Sequence, residues 1–278
     1  MTTSKIKIGW FSSGGGKGSR NLLTAVAGSI ERFALDAEIS FVFCSHETGE
    51  APETDLFFEL VDSYGIPLET LSYRDFKKAH GISTLQTPEA ELPGWRLDYD
   101  RQVMDLIKKY SVDICVLAGF MLIVGPEMCR KYAMLNLHPA EPGGPVGTWR
   151  EVIWKLIDQR GTRSGVMMHL VTPELDKGPV VTYCTYTIRG GAFDKHWKEL
   201  GDKQSSAIKE DQGEAYALFR RIRQQGAERE LPLIVSTLKA FAEGHVRVSN
   251  GQVYDSQGNR VEGYDLSREV DLAVRGSP

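Results

Sequence analysis

A chain of 278 residues is long enough for one large domain, or for one domain with a small appendage. Its 41% hydrophobic and 25% charged residues are the composition of a soluble globular protein, and a net charge of −4 gives no electrostatic reason to expect nucleic acid as a partner. Cys44, Cys115, Cys129 and Cys184 are scattered and form no CxxC pair, so neither a metal site nor a disulfide framework is supported. The start "MTTSKIKIGWFSS" lacks a signal-peptide run and no eighteen apolar residues are consecutive, so a cytoplasmic chain with no membrane partner is expected.

Taken in order, "KIKIGWF" (5–11) reads as a buried strand, and "SSGGGKGSR" (12–20) as a glycine-rich turn. Helical spacing follows over 20–33, a second strand over 37–45, a helix over 54–65 and a short extended piece over 66–73. A helix over 97–111 leads to the apolar strand "VDICVLAGF" (112–120), and "AMLNLHP" (133–139) is the next strand. A helix over 149–159 and the strand pair 164–171 and 178–188 complete this half. Trp149 and Trp154, five apart on the helix, do not share a face and read as core packing.

Beyond 190 the chain is polar and irregular to 212, which fits either a lid or an idle surface loop; two helices, 213–225 and 230–244, come next. The stretch 245–278 carries Gly and Asn turn signals and reads as a hairpin plus tail. The fold class is therefore α/β: a Rossmann-like, mainly parallel sheet with helices on both faces and a small C-terminal extension. Residues 1–190 form the α/β domain, 191–244 its helical continuation and 245–278 the small appendage.

The glycine loop lies between the first strand and the first helix, where a phosphate can meet backbone N–H groups. It fails as a Walker A loop, because Gly16-Lys17 is followed by Gly18, and both candidate dinucleotide fingerprints lack their last glycine. Two readings stay open, a flexible βα turn or an anion-binding loop of another type helped by Lys17 and Arg20.

Asn136 and His138 stand two apart and so project from one side of their strand, which Pro139 ends. Ligands of open α/β sheets bind beyond the strand ends. An amide donor and an imidazole suit an oxyanion, and an acid would orient the imidazole. Asp176 in "VTPELDKGPV" (171–180) is the natural acid and Glu174 its rival; His169, in "MMHLV", reads as a structural strand histidine.

Four segments together, "GKGSRNLL" (16–23), "LAGFM" (117–121), "NLHP" (136–139) and "VTPELDKGPVV" (171–181), resemble the folate-dependent formyltransferase family in order and spacing. The resemblance covers roughly residues 5–190, and more loosely the helices to about 244. It implies a Rossmann-like sheet, 10-formyltetrahydrofolate as cosubstrate and no metal. It also implies Asn136, His138 and Asp176 as catalytic residues. The folate would lie beside Phe120, Met121, Leu122, Val124, Thr172 and Glu174, largely through backbone contacts of the 120–124 segment. Gly16, Lys17, Gly18 and Ser19 would hold the phosphate of the acceptor.

Three departures stand out. The family usually continues His-Pro with Ser-Leu-Leu-Pro, whereas this chain has "AEPGGPVGTW" (140–149). An arginine common after "GFM" is Leu122, and 245–278 has no counterpart in the smallest members. The resemblance implies transfer of a formyl group to an amine of a small acceptor, a phosphorylated one suiting the loop. Protonated His138 and Asn136 would face the oxyanion while Asp176 keeps the imidazole charged. Glu141 would receive a cationic amine or only cap a turn. The rivals are a hydrolase releasing formate, a nucleotide-dependent oxidoreductase and a non-catalytic relative. A transfer-RNA formyltransferase would be expected to carry a basic added domain. Oligomeric state is not legible.

Overall fold

The computed structural model describes residues 5–82, 92 and 94–276; the first four and last two residues of the expected 1–190 and 245–278 segments lie outside these. The chain begins with β1 (Ile6–Ser12), α1 (Lys17–Glu31), β2 (Ala37–Cys44), α2 (Pro52–Ser63), β3 (Leu68–Thr70) and α3 (Tyr73–Ala79). Next come α4 (Gly94–Ile107), β4 (Ile114–Leu117), α5 (Pro126–Lys131), β5 (Met134–His138), α6 (Trp149–Asp158), β6 (Arg163–Leu170) and β7 (Val180–Thr187). Two short helices, α7 (Asp194–Leu200) and α8 (Ser205–Asp211), lead to the long α9 (Ala217–Ala242). The chain closes with β8 (Val246–Ser249), β9 (Gln252–Asp255), β10 (Tyr264–Asp265) and α10 (Ser267–Gly276).

Eight strands form one sheet in the order β10-β7-β6-β5-β4-β1-β2-β3. The β3-β2-β1-β4-β5 run and the β10/β7 pair are parallel, whereas β6 is antiparallel to both β5 and β7. The central strands are apolar on both sides because both sides are covered. Ile8 and Trp10 of β1 pack with Leu23 of α1, Phe57 of α2 and Leu233 of α9. Phe11 packs on the other face with Phe76 of α3, Tyr99 of α4 and Met128 of α5. The three-layer, helices-on-both-faces architecture expected from the alternation is thus present.

Three segments differ from expectation. Residues 190–212 are not an irregular loop, because Phe193, Trp197, Leu200 and Ile208 are buried against α6 and α9. The i, i+4, i+7 spacing of the first three is a helical signal masked by the surrounding charge. The two helices expected at 213–225 and 230–244 are the single α9, which runs through Pro232. Proline forfeits one backbone bond there, and packing of Leu218, Phe219, Ile222, Leu233, Ile234 and Leu238 on two apolar clusters offsets it. In the last segment, β8 and β9 make the expected hairpin, but β10 pairs with β7 at the edge of the main sheet and Val270 of α10 enters the core. Trp149 and Trp154 both pack on Phe219, as core residues.

Burial pushes the thiols of Cys44, Cys115 and Cys184 up to about 12, so they are inert core residues. No helix among the described residues is long and apolar enough to cross a membrane.

Gly9 lies mid-sheet where the β1/β2 register shifts, and a Cβ there would stand 2.8 Å from Phe41 and 2.9 Å from Cys115 Sγ. Gly9→Ala is expected to destabilise the protein by about 1–3 kcal/mol through overpacking, read as a lowered urea midpoint with unchanged slope.

Candidate active site

Strand β5 is where the site begins. Its two-residue period puts Met134, Asn136 and His138 on one face, with Met134 in the core shared with α4 and α5. Leu135 and Leu137 turn to the opposite core beneath α1 and α9. In the antiparallel register of β6, His169 stands opposite Asn136 and Met167 opposite His138. Cross-strand partners share a face, so His169 joins Asn136 and His138 on one side of the sheet. The sequence read His169 as a structural strand histidine, and its place beside Asn136 and Asp176 depends on register between strands 30 residues apart, which is not written in either strand.

Asp176 folds back over this face from the β6–β7 loop. A Cβ on Gly178 would lie 1.7 Å from the Leu170 carbonyl oxygen, so only glycine lets the loop return so tightly. Asp176 itself is left-handed, with φ 55°, a conformation that aspartate tolerates better than most residues. Its carboxylate lies 3.6 Å from His138 Nδ1 and 3.6 Å from His169 Nε2. Asn136 Nδ2 donates to His169 Nε2 at 3.2 Å and more weakly to Asp176 Oδ1 at 3.5 Å. His169 Nδ1 lies 2.9 Å from the Leu170 carbonyl, which makes Nδ1 its donor and Nε2 its acceptor toward Asn136.

The electrostatics separate the two charged partners. Burial tends to raise Asp176, but the neighbouring His169 and His138 imidazoles and the Gly147 backbone together hold its carboxyl below the usual range. His138 moves the other way from expectation. Burial outweighs the hydrogen bond to Pro145 and the attraction of Asp176, and holds the imidazole below its ordinary value. The imidazole is therefore neutral at rest near pH 7, not the standing cation expected from the neighbouring acid.

The departing segment 140–148 forms a strap across β6. Glu141 packs on Gly165, where a Cβ would meet Glu141 Cα at 2.9 Å, and its carboxylate is paired with Arg163. Glu141 O accepts from Gly144 N to close a turn. The Pro145 carbonyl reaches His138 Nε2 at 3.2 Å, and Lys155 Nζ donates to Val146 O at 2.7 Å. Thr148 and Glu151 then form a capping box that starts α6.

The segment after β4 is anchored from two directions. Ser13 N donates to Gly119 O, Ser13 Oγ accepts from Met121 N, and Ser19 is buried with its hydroxyl toward Gly119. From α4, Arg96 donates to the Ile123 carbonyl at 2.6 Å and pairs with Asp100 at 2.6 Å, while Asp100 accepts from Gly125 N. This buried pair bonds backbone at Ile123 and Gly125, while Arg96 Nη1 is left without a hydrogen-bond partner among the described residues. Nothing in the spacing of Arg96 and Asp100 distinguished them from the polar side of a helix.

The remaining expected residues divide by exposure. Phe120 is half-buried and packs edge-on to Phe11, and Val124 is buried, so Val124 can face a ligand only through backbone. Leu122 packs against the same core, while Met121 is 78% exposed. Thr172 donates to the Glu174 carbonyl and Glu174 pairs with Lys177 on the surface. Gly16, Lys17 and Gly18 open α1, which has no side-chain cap and no acid in its first turn. Arg20 is tied to Glu53 at 2.6 Å and is not free to serve an anion. Among the described residues no cluster of three or more His, Cys, Asp or Glu is placed to hold a metal ion.

Comparison with known proteins gives a consistent result. The formyl transferase family model matches residues 11–191. Phosphoribosylglycinamide formyltransferase of Escherichia coli is 29% identical over 173 residues, 60% of this chain and 67% of that protein. Formyltetrahydrofolate deformylase of Haemophilus influenzae is 25% identical over 151 residues, 53% of this chain and 44% of that protein. In structure the chain is similar to phosphoribosylglycinamide formyltransferase of Coxiella burnetii, with TM-score 0.64 and 20% identity over 94% of this chain and 99% of that one. It is also similar to a formyltetrahydrofolate deformylase of Pseudomonas syringae, with TM-score 0.61 and 18% identity over 90% of this chain and 66% of that one. At such identities these two speak to fold alone. With the family matched over more than half its length, the chain belongs to the formyl transferase family.

Proposed function

We propose that this protein transfers a formyl group from 10-formyltetrahydrofolate to an amine of a small anionic acceptor. The observation that carries the reading is the assembly of Asn136, His138 and Asp176 on one sheet face. The relatives with formyltransferase names support transfer, and those with deformylase names are the reason the acceptor needs a test.

The amine nitrogen attacks the formyl carbon, a C–N bond forms, and the carbonyl electrons move to oxygen. Asn136 Nδ2 serves the oxyanion by exchanging its long 3.5 Å contact with Asp176. Neutral His138 takes the proton released by the amine, and Asp176 3.6 Å away stabilises the resulting cation. Collapse restores the carbonyl, breaks the bond to the folate nitrogen and returns the proton to that nitrogen. His169, bonded to Asn136, acts as a positioning residue for the amide. The folate lies along the 119–125 and 171–178 segments, with Met121 its exposed apolar contact.

An anionic acceptor is favoured by the α1 N-terminus with Lys17 beside it, since unpaired N–H groups and a cation attract phosphate. Glu141 is a structural member of the strap in this reading, its carboxylate being taken by Arg163. Hydrolysis is the second reading, and product analysis separates them. Formate release without amine should be slow, and a phosphorylated amine should accelerate folate turnover while becoming formylated. Unaccelerated formate release would assign the hydrolase.

His138→Ala and Asp176→Asn should each lower formyl transfer by at least about 10²–10³ while leaving circular dichroism and the urea midpoint near wild type. A folded His138→Ala protein with near-normal turnover discards the mechanism. The pH dependence has a defined sign. A base held below its ordinary value stays neutral to lower pH, so kcat/KM should fall only below about 6.5, the usual imidazole value. Asp176→Asn removes the charge that favours the imidazolium and should move this acid limb lower still. A limb centred above 6.5 contradicts the assignment.

A further inference from the structure

The neutral imidazole of His138 has one proton and two acceptors to face. Nε2 is 3.2 Å from the Pro145 carbonyl, within hydrogen-bond reach, while Nδ1 is 3.6 Å from Asp176 Oδ2, beyond it. A proton on Nε2 makes the closer bond and leaves the Nδ1 lone pair at the longer distance from the carboxylate. A proton on Nδ1 would leave two lone pairs opposed at 3.2 Å. The strap therefore selects between tautomers that differ in which nitrogen can act as base.

What fixes that carbonyl lies outside the residues that face substrate. The strap is pinned at its start by the Glu141–Arg163 pair and the fit on Gly165. At its end the Gly147 backbone faces the Asp176 carboxylate. Between these, Lys155 on the second turn of α6 reaches back and donates to the carbonyl of Val146, the residue next to Pro145. A charged donor at 2.7 Å to a backbone carbonyl is the stronger kind of hydrogen bond. The Pro145 and Val146 carbonyls lie in successive peptide planes joined at the Val146 Cα, so holding Val146 O narrows the φ/ψ changes at Val146 that would turn Pro145 O away from the imidazole.

We propose that Lys155 is a positioning residue: through Val146 it holds the Pro145 carbonyl on His138 Nε2, so that Nδ1, beside Asp176, is the nitrogen that receives the proton from the attacking amine. This rests on the reading of His138 as the base in formyl transfer. The proton leaves the amine nitrogen for Nδ1 and later returns to the folate nitrogen, so no other reactant is required. The role belongs to this chain's strap, since it depends on a lysine seven residues into α6 and on the proline at 145.

The test reads the imidazole directly. In the 15N-labelled protein above the titration of His138, the wild type should show the Nε2-protonated tautomer by long-range 15N–1H correlation. Lys155→Met, which keeps the aliphatic stem on an exposed helix position, should give a mixture of tautomers. The same variant should lower kcat about tenfold with the folate KM changed less than about threefold, and Lys155→Arg should restore both readings. A Lys155→Met protein that keeps the wild-type tautomer overturns the proposal, whatever its rate. If wild-type protein formylates no amine and releases no formate, the proposed function fails instead, and the tautomer comparison still judges the role of Lys155.

Discussion

A carboxylate with only 9% of its side chain exposed must be met by polar groups, and Asp176 meets that requirement with groups from three segments. His138 and Asn136 approach from β5, His169 from β6 and the Gly147 backbone from the strap. Each of these elements is fixed elsewhere by apolar packing, so the carboxylate does not create the fold. It sets the places where the fold has to converge. The left-handed backbone at Asp176 and the close approach at Gly178 are the local strain through which that convergence is reached.

The sheet made much of this visible in advance. Continuous apolar runs at β1, β2 and β4 stand out because both faces of a parallel sheet are covered, and the i, i+2 relation of Asn136 and His138 follows from strand geometry alone. Asp176 was found through its Gly/Pro-bounded loop and the resemblance of several segments at once. What stayed hidden has a common physical character. The place of His169 depends on β5/β6 register, and the grip of Arg96 and Asp100 on Ile123 and Gly125 depends on how α4 packs. Both are long-range matters that no local window contains. Pro232 misled for the opposite reason: its local cost is real, and tertiary packing along α9 overrides it.

Two polar devices hold the loops around the site, and they differ in kind. The Arg96–Asp100 pair is buried and acts on backbone, so the 119–125 segment is fixed by groups with no route to solvent. The strap is held at the surface, by Lys155 and by the Glu141–Arg163 pair, where water competes for each bond. The 119–125 segment is thereby stiff, and the 140–148 strap is the side with the softer support.

The long helix α9 has a further consequence. Its first half lies in the apolar cluster of α6, α7 and α8, and its second half in the cluster that holds β1, β6 and the final hairpin. A rod of 26 residues, about 39 Å long, cannot melt at one end without removing a wall from the other cluster. The two halves of the molecule then share one cooperative unit, and slow amide exchange should extend along α9 without a break at Pro232. Because α6 grows directly out of the strap, the same rod ties the motion of the residues around His138 to the global opening of the protein rather than to local fraying.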